Sequence, residues 1–231
     1  MLFVVKALQI SRKKLAGMID HTLIKPTATK DEVVRLCWEA EKYGFGCTVV
    51  NPVYVSLARH VLEATAVKVC STVGFPIGST LPEVKAFEAK RVVEEGAEEI
   101  DMVMNIGALK SKDYETVRKD VEAVVGVKKA HKNVVVKVII ETGLLTDEEK
   151  VIACELAKKA GADFVKTSTG LLARGATVED IRLMRRTVGM DTGVKASGGI
   201  RTLKDALAMI EAGANRVGTS TGVAIIEETP K

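Results

Sequence analysis

Apolar residues along this chain fall into two alternating spacings. Short runs of strand length recur at 18–23, 46–50, 67–73, 99–104 and 134–140, and three more enter Lys166, enter Lys195 and cover 215–220. Between them lie stretches whose apolar positions return every three or four residues, the spacing of a helix with one buried face. These predict helices over 29–43, 53–64, 111–132, 146–159, 177–186 and 202–211. Another is expected to be capped by Thr80, with Pro82 in its first turn, and a short one to cover 222–228. Thr29 with Glu32, and Thr146 with Glu149, have capping-box spacing. Residues 3–14 show helix-like spacing at Phe3, Ala7 and Ile10 and end basic, a segment suited to plug one end of a barrel.

Regular alternation of strand and helix demands parallel pairing, because each strand returns through a crossover. Eight such units in 231 residues suit a closed (β/α)8 TIM barrel, an α/β fold, with an N-terminal capping helix; a doubly wound open sheet is the competing architecture. An internal echo favours closure. Gly161-Ala-Asp-Phe-Val-Lys-Thr-Ser-Thr-Gly170 returns as Gly213-Ala-Asn-Arg-Val-Gly-Thr-Ser-Thr-Gly222. With Gly44 and Gly96, a glycine then precedes every second strand, each expected in the left-handed conformation that ends a helix. No Pro-, Gly- or Ser-rich linker interrupts the chain, which predicts a single domain over 1–231.

Charge and composition narrow the function. Net charge is formally +4 with no basic cluster, and aromatic residues are 4% of the chain, which argues against a nucleic-acid partner. The apolar run Leu2-Phe3-Val4-Val5 meets Lys6 at once and is too short to cross a bilayer, so no membrane partner is expected. Cys37, Cys47, Cys70 and Cys154 lack metal-type spacing and read as buried thiols of a reducing, cytoplasmic compartment. A lone glutamine, Gln9, among many Glu and Lys suggests a heat-adapted source. A homo-oligomer, dimer or tetramer, is expected, with Trp38 and Tyr43 as a candidate contact.

Candidate chemistry gathers at strand ends, where barrels of this kind place their catalytic groups. Strand parity sends Asp20, Thr22, Asp101, Lys137, Glu141, Lys166 and Lys195 inward, and His21 toward the helices. Cys47 also faces inward, expected near the pocket mouth, as a small core residue or a reactive thiol. Asp20, Thr22, Cys47 and Lys137 are candidate substrate contacts. Singly, each charge fits a structural ion-pair network equally well; together at the loop-facing ends they favour a site.

Burial strips a lysine ammonium of its hydration and drives it toward the neutral amine, the form that attacks a carbonyl. Lys166 precedes Thr167-Ser168-Thr169-Gly170, which can shape a polar pocket round a carbonyl substrate. Lys195 is the natural neighbouring cation, and Asp101 can relay protons with it. Ser197-Gly198-Gly199 and Gly218-Thr219-Ser220 follow the last strands, where barrels hold phosphate against backbone N–H groups. His21, His60 and His131 are scattered, so neither a metal nor another cofactor is expected.

Five of these stretches resemble the deoxyribose-phosphate aldolases: Ile19-Asp20-His21-Thr22, Glu99 to Gly107, Val138-Ile139-Ile140-Glu141-Thr142, Phe164 to Gly170, and Val194 to Ile200. The likeness runs with similar spacing from about Leu15 to Ile225. It implies a class I, metal-free aldolase that cleaves 2-deoxy-D-ribose 5-phosphate to acetaldehyde and D-glyceraldehyde 3-phosphate. By it Lys166 forms the Schiff base, Lys195 and Asp101 assist proton transfer, and Gly170, Gly198, Gly199, Gly218 and Ser220 surround the phosphate. Two features depart from the family. The sequence closes on Glu228-Thr229-Pro230-Lys231 without the terminal tyrosine of well-studied bacterial members, and Leu171 stands where some members have a lysine, with Arg174 a candidate substitute. The competing functions are a transaldolase-like or lyase activity on another sugar phosphate, and a catalytically dead sugar-phosphate sensor.

Overall fold

A computed structural model describes residues 10–229. Eight parallel strands close into one barrel in chain order: β1 (Ile19–Leu23), β2 (Cys47–Val50), β3 (Lys68–Val73), β4 (Glu99–Val103), β5 (Val135–Ile139), β6 (Phe164–Lys166), β7 (Gly193–Ser197) and β8 (Arg216–Thr219). The helices are α1 (Arg12–Gly17), α2 (Lys30–Tyr43), α3 (Val55–Val61), α4 (Pro82–Glu94), α5 (Ile106–Lys110), α6 (Tyr114–Val125), α7 (Asp147–Lys159), α8 (Val178–Val188), α9 (Leu203–Glu211) and α10 (Gly222–Glu227).

Two apolar layers show why the sequence adopts this form. Ile19, Val69, Ile100, Val136, Val165, Val194 and Val217 point outward from the strands into the large core shared with the helices. A second, small cluster of Cys47, Val49 and Cys70 lies inside the barrel. Each fully buried Val or Ile contributes roughly 1.5–3 kcal/mol, so the outer layer fixes which face of every strand turns inward.

Helix ends follow the expected chemistry at most places. Thr29 with Glu32 and Thr146 with Glu149 form complete capping boxes. The four junction glycines, Gly44, Gly96, Gly161 and Gly213, all have positive φ, at 71°, 111°, 88° and 115°. The expected short helix after the last strand is α10.

Three elements differ from expectation. Thr80 does not cap α4; Leu81 stands at the cap without a side-chain bond, and Pro82 begins the helix. A proline holds the residue before it extended, so the helix cannot start earlier. The stretch 111–132 is not one helix. Lys112 turns left-handed (φ 59°) and Asp113 accepts from Thr116 N at 3.1 Å, so α6 begins only at Tyr114; it ends at Val125, a 3-10 turn over Gly126–Lys129 follows, and the short α5 before it is an additional element. The stretch 53–64 opens as a 3-10 turn over Pro52–Tyr54 before α3. Most of the expected 3–14 helix lies outside the described residues; α1, with Leu15 and Ala16 buried, occupies the N-terminal end and packs against α10. Among the described residues, no helix is long and apolar enough to cross a membrane.

Candidate active site

Strand register sets the site. Asp101 on β4 pairs with Lys137 on β5, Ile139 with Lys166 on β6, and Lys166 with Lys195 on β7. All four charged side chains project into the barrel and are essentially fully buried. Asp101 is the hub. Its Oδ2 accepts from Lys166 Nζ at 2.7 Å and from Lys195 Nζ at 2.7 Å. Its Oδ1 accepts from Lys137 Nζ at 3.0 Å and from the Cys70 thiol at 3.3 Å. One carboxylate thus bridges the two lysines singled out from the sequence.

A deeper layer supports the hub. Asp20 Oδ2 meets Lys195 Nζ at 2.5 Å, and Arg216 binds the other oxygen of Asp20. Glu99 pairs with Lys137 at 2.6 Å and with Arg216 at 3.4 Å. The connected network holds three carboxylates (Asp20, Glu99, Asp101) and four basic groups (Lys137, Lys166, Lys195, Arg216). The charges cancel when one base is neutral.

Of the four bases, Lys166 is the one whose surroundings lower its pKa. Burial pulls its pKa below the usual lysine value, Asp101 opposes, and the Lys195 ammonium adds to the depression. Burial also acts against the Lys195 ammonium, but Asp101 and Asp20 outweigh it and raise its pKa. The difference is Asp20, which touches Lys195 and not Lys166. Lys137 is likewise pushed well up, its burial overcome chiefly by Asp101. Burial raises the Asp101 carboxyl, yet Lys137, Lys166 and Lys195 together hold it well below the usual carboxylate range.

A cavity of about 330 Å³ lies at the C-terminal ends of the strands, its wall formed by Thr22, Gly170, Gly198, Gly199, Gly218 and Ser220, with Thr169, Lys25 and Arg201 also on its lining. Lys166 and Lys195 lie one step further in on the strands whose following residues make the wall. Two glycines have a specific reason. A Cβ at Gly218 would stand 2.9 Å from Ser197 Oγ and 3.1 Å from Lys195 Cε, so a side chain there would crowd Lys195. Gly199 has φ 78°, which a side chain would strain.

The structure brings together Asp20, Thr22, Asp101, Lys166, Lys195, Thr169 and the glycine loops. Thr22 Oγ1 donates to the Asp20 carbonyl at 2.8 Å. Lys137 reaches Asp101 from below and does not line the cavity. Cys47 does not stand at the pocket mouth. It is the first residue of β2, fully buried, and parity fixed its face but not its depth. Arg174 pairs with Asp180 at 2.5 Å, away from the cavity. His21 points to the helix layer as expected, meeting Glu39 on α2 at 2.7 Å. Glu99 and Arg216 were not anticipated, although each stands two residues before an inward position (Asp101, Gly218), and the same parity would have found them.

One group among the described residues has metal-type donors in proximity: Cys47, Cys70 and Glu99, with ligand atoms within 4.8 Å of one another. A metal would need a thiolate, yet burial and the adjacent Cys70 and Glu99 push the Cys47 thiol far up. Glu99 is already held by Lys137 and Arg216. The trio does not suit a cation.

A sequence model of DeoC/LacD family aldolases matches residues 15–228. The deoxyribose-phosphate aldolase of Thermococcus kodakarensis is 60% identical over 224 residues, covering 96% of this chain and 99% of that protein. That of Halalkalibacterium halodurans is 60% identical over 215 residues, covering 93% and 95%. Among solved structures, the tetrameric deoxyribose-phosphate aldolase of Aeropyrum pernix superposes with a TM-score of 0.88 at 40% identity, covering 94% of this chain and 91% of that one.

Proposed function

The chain belongs to the DeoC/LacD family of aldolases, and from that premise we propose that it cleaves 2-deoxy-D-ribose 5-phosphate reversibly to acetaldehyde and D-glyceraldehyde 3-phosphate through a Schiff base on Lys166. The observation that carries this reading is the single oxygen, Asp101 Oδ2, held 2.7 Å from both Lys166 and Lys195. The neutral Lys166 amine attacks the aldehyde carbon of the open-chain sugar, and loss of water leaves an iminium. Its positive charge draws electrons from the C2–C3 bond. As that bond breaks, the C3 hydroxyl gives up its proton, glyceraldehyde 3-phosphate departs, and an enamine remains on Lys166. Protonation of the enamine carbon and hydrolysis release acetaldehyde and the free lysine. Asp101, between a charged and a neutral lysine, can take a proton from one and return it to the other.

The glycine-lined cavity takes the phosphate end, with Gly170, Gly198, Gly199, Gly218 and Ser220 offering close backbone approach and Arg201 a positive charge at the rim. Asp20 and Lys137 act through Lys195 and Asp101, and Thr22 and Thr169 shape the wall. Product analysis with 2-deoxy-D-ribose 5-phosphate tests the reaction. Equimolar acetaldehyde and glyceraldehyde 3-phosphate are expected; a ketose-derived product, or binding without turnover, would contradict it.

We also propose that the chain, as a single domain over 1–231, works in the cytoplasm as a homo-oligomer. Trp38 on α2 is 62% exposed, and Val84 and Phe87 on α4 are exposed too, apolar surface suited to a second copy. Tyr43, on the same helix, is half-buried, stacks on Phe45 and donates to Glu227 at 2.6 Å. A monomeric mass by light scattering at micromolar concentration would contradict assembly.

A further inference from the structure

We infer that Glu141 is a positioning residue: a bulge at the end of β5 turns its carboxylate onto Thr169 and thereby sets the wall of the phosphate cavity. The inference rests on the reading of that cavity given above.

Past the end of β5 the ladder loses its step. Ile140 N donates to the Lys166 carbonyl at 3.0 Å, and Thr142 N donates to the Thr167 carbonyl at 2.8 Å. Two residues advance on one strand while one advances on its neighbour, so Glu141 is the extra residue of a bulge. Its backbone is left-handed, φ 53° and ψ 64°, a conformation a glutamate rarely adopts. Bulges beside active sites re-aim side chains, and this one lies against the residue proposed to form the Schiff base.

The re-aimed carboxylate has a definite target. Glu141 Oε2 accepts from Thr169 N at 3.0 Å and from Thr169 Oγ1 at 2.5 Å. Thr169 Oγ1 in turn accepts from Leu171 N at 3.2 Å. This chain clamps both sides of Gly170, which holds φ 80° on the cavity wall opposite Gly198. Glu141 is fully buried, and its Oε1 has no hydrogen-bond partner among the described residues. A strained backbone and a half-satisfied buried acid persist where the surrounding structure puts them to use. Both donors go to one oxygen, so a neutral amide carbonyl could take its place; the role is geometric rather than electrostatic.

The test compares Glu141→Ala, Glu141→Gln and Thr169→Val in steady-state cleavage of 2-deoxy-D-ribose 5-phosphate and of unphosphorylated 2-deoxyribose. For Glu141→Ala, KM for the phosphorylated substrate should rise on the order of tenfold or more, with a much smaller fall in kcat and a smaller loss on the unphosphorylated sugar. Glu141→Gln should restore KM to within about threefold of the parent, because its carbonyl accepts both Thr169 donors. Should Glu141→Ala not fold, Thr169→Val removes the hydroxyl donor of the same contact from the other side and must raise KM by itself. Equal losses on both substrates, or a Gln variant as impaired as Ala, would overturn the inference. A parent enzyme that does not prefer the phosphorylated sugar would instead overturn the reading of the cavity.

Discussion

β6 and β8 are built on one ten-residue pattern and do different work. Asp163, before β6, donates its N–H to the Val136 carbonyl at 2.9 Å and accepts from Val136 N at 2.8 Å. Asn215, before β8, does the same with Val194, at 2.8 Å and 2.9 Å. The strand entries are therefore shared down to individual hydrogen bonds. Farther along the two part: Thr167 Oγ1 donates forward to the Ser197 carbonyl at the end of β7, and Thr219 Oγ1 donates back to the Ile200 carbonyl in the loop after β7. The inward positions are not shared. Phe164 corresponds to Arg216, and Lys166 to Gly218. One unit presents an amine; the other gives up its side chain, which leaves room for Lys195 and Ser197. The lesson is that chemistry in this barrel is divided by residues at equivalent inward positions on a common frame.

The deepest way to break that division is to remove the group both lysines share. Asp101→Asn keeps the shape but loses the charge on Oδ2, and kcat for cleavage should fall about 10²–10⁴-fold, the range of a lost acid–base group. A loss under threefold in steady-state kinetics would mean that Asp101 only packs the barrel. Next comes the β8 position. Gly218→Asp places a like charge where the phosphate is proposed to sit, so KM for the phosphorylated substrate should rise about a hundredfold or more. The loss on unphosphorylated 2-deoxyribose should be much smaller, and equal losses would separate Gly218 from anion binding.

A subtler change is in titration. Lys195→Leu removes the cation that helps depress Lys166, so the Lys166 pKa should rise and less amine should be neutral at a given pH. Borohydride trapping with acetaldehyde should persist but shift its pH dependence upward. An unchanged profile would show that burial alone tunes Lys166. The smallest effect tests the shared frame. Asp163→Ala and Asn215→Ala each remove the side-chain acceptor of a buried strand N–H, that of Val136 or Val194, and each should cost about 1–3 kcal/mol in chemical denaturation. Widely different costs would show that the two units are alike in sequence only.

The sequence was most informative where local pattern decides structure. Strand parity brought Asp20, Asp101, Lys166 and Lys195 to one interior, because the outward Val and Ile residues leave each strand only one way to face. Parity says nothing about depth along the barrel, which depends on how neighbouring strands are staggered. For that reason Cys47 was placed at the mouth, while register pairs it with Asp20 and Lys68 near the strand entries. The five residues of α5 are too few to show a helical period, and the turn that separates it from α6 is set by the cap that Asp113 makes. The bulge at Glu141 was not legible at all. It exists only through the mismatch of β5 against β6, a tertiary fact.

The central question for this barrel is which lysine forms the covalent bond. Incubating the enzyme with acetaldehyde, reducing with borohydride and mapping the adduct by mass spectrometry of its peptides reads this directly. A single two-carbon addition on Lys166, absent from Lys166→Ala, is the predicted result. An adduct carried by Lys195 with Lys166 unmodified would reverse the roles assigned to the two lysines, and no adduct on either would remove Schiff-base chemistry from the barrel.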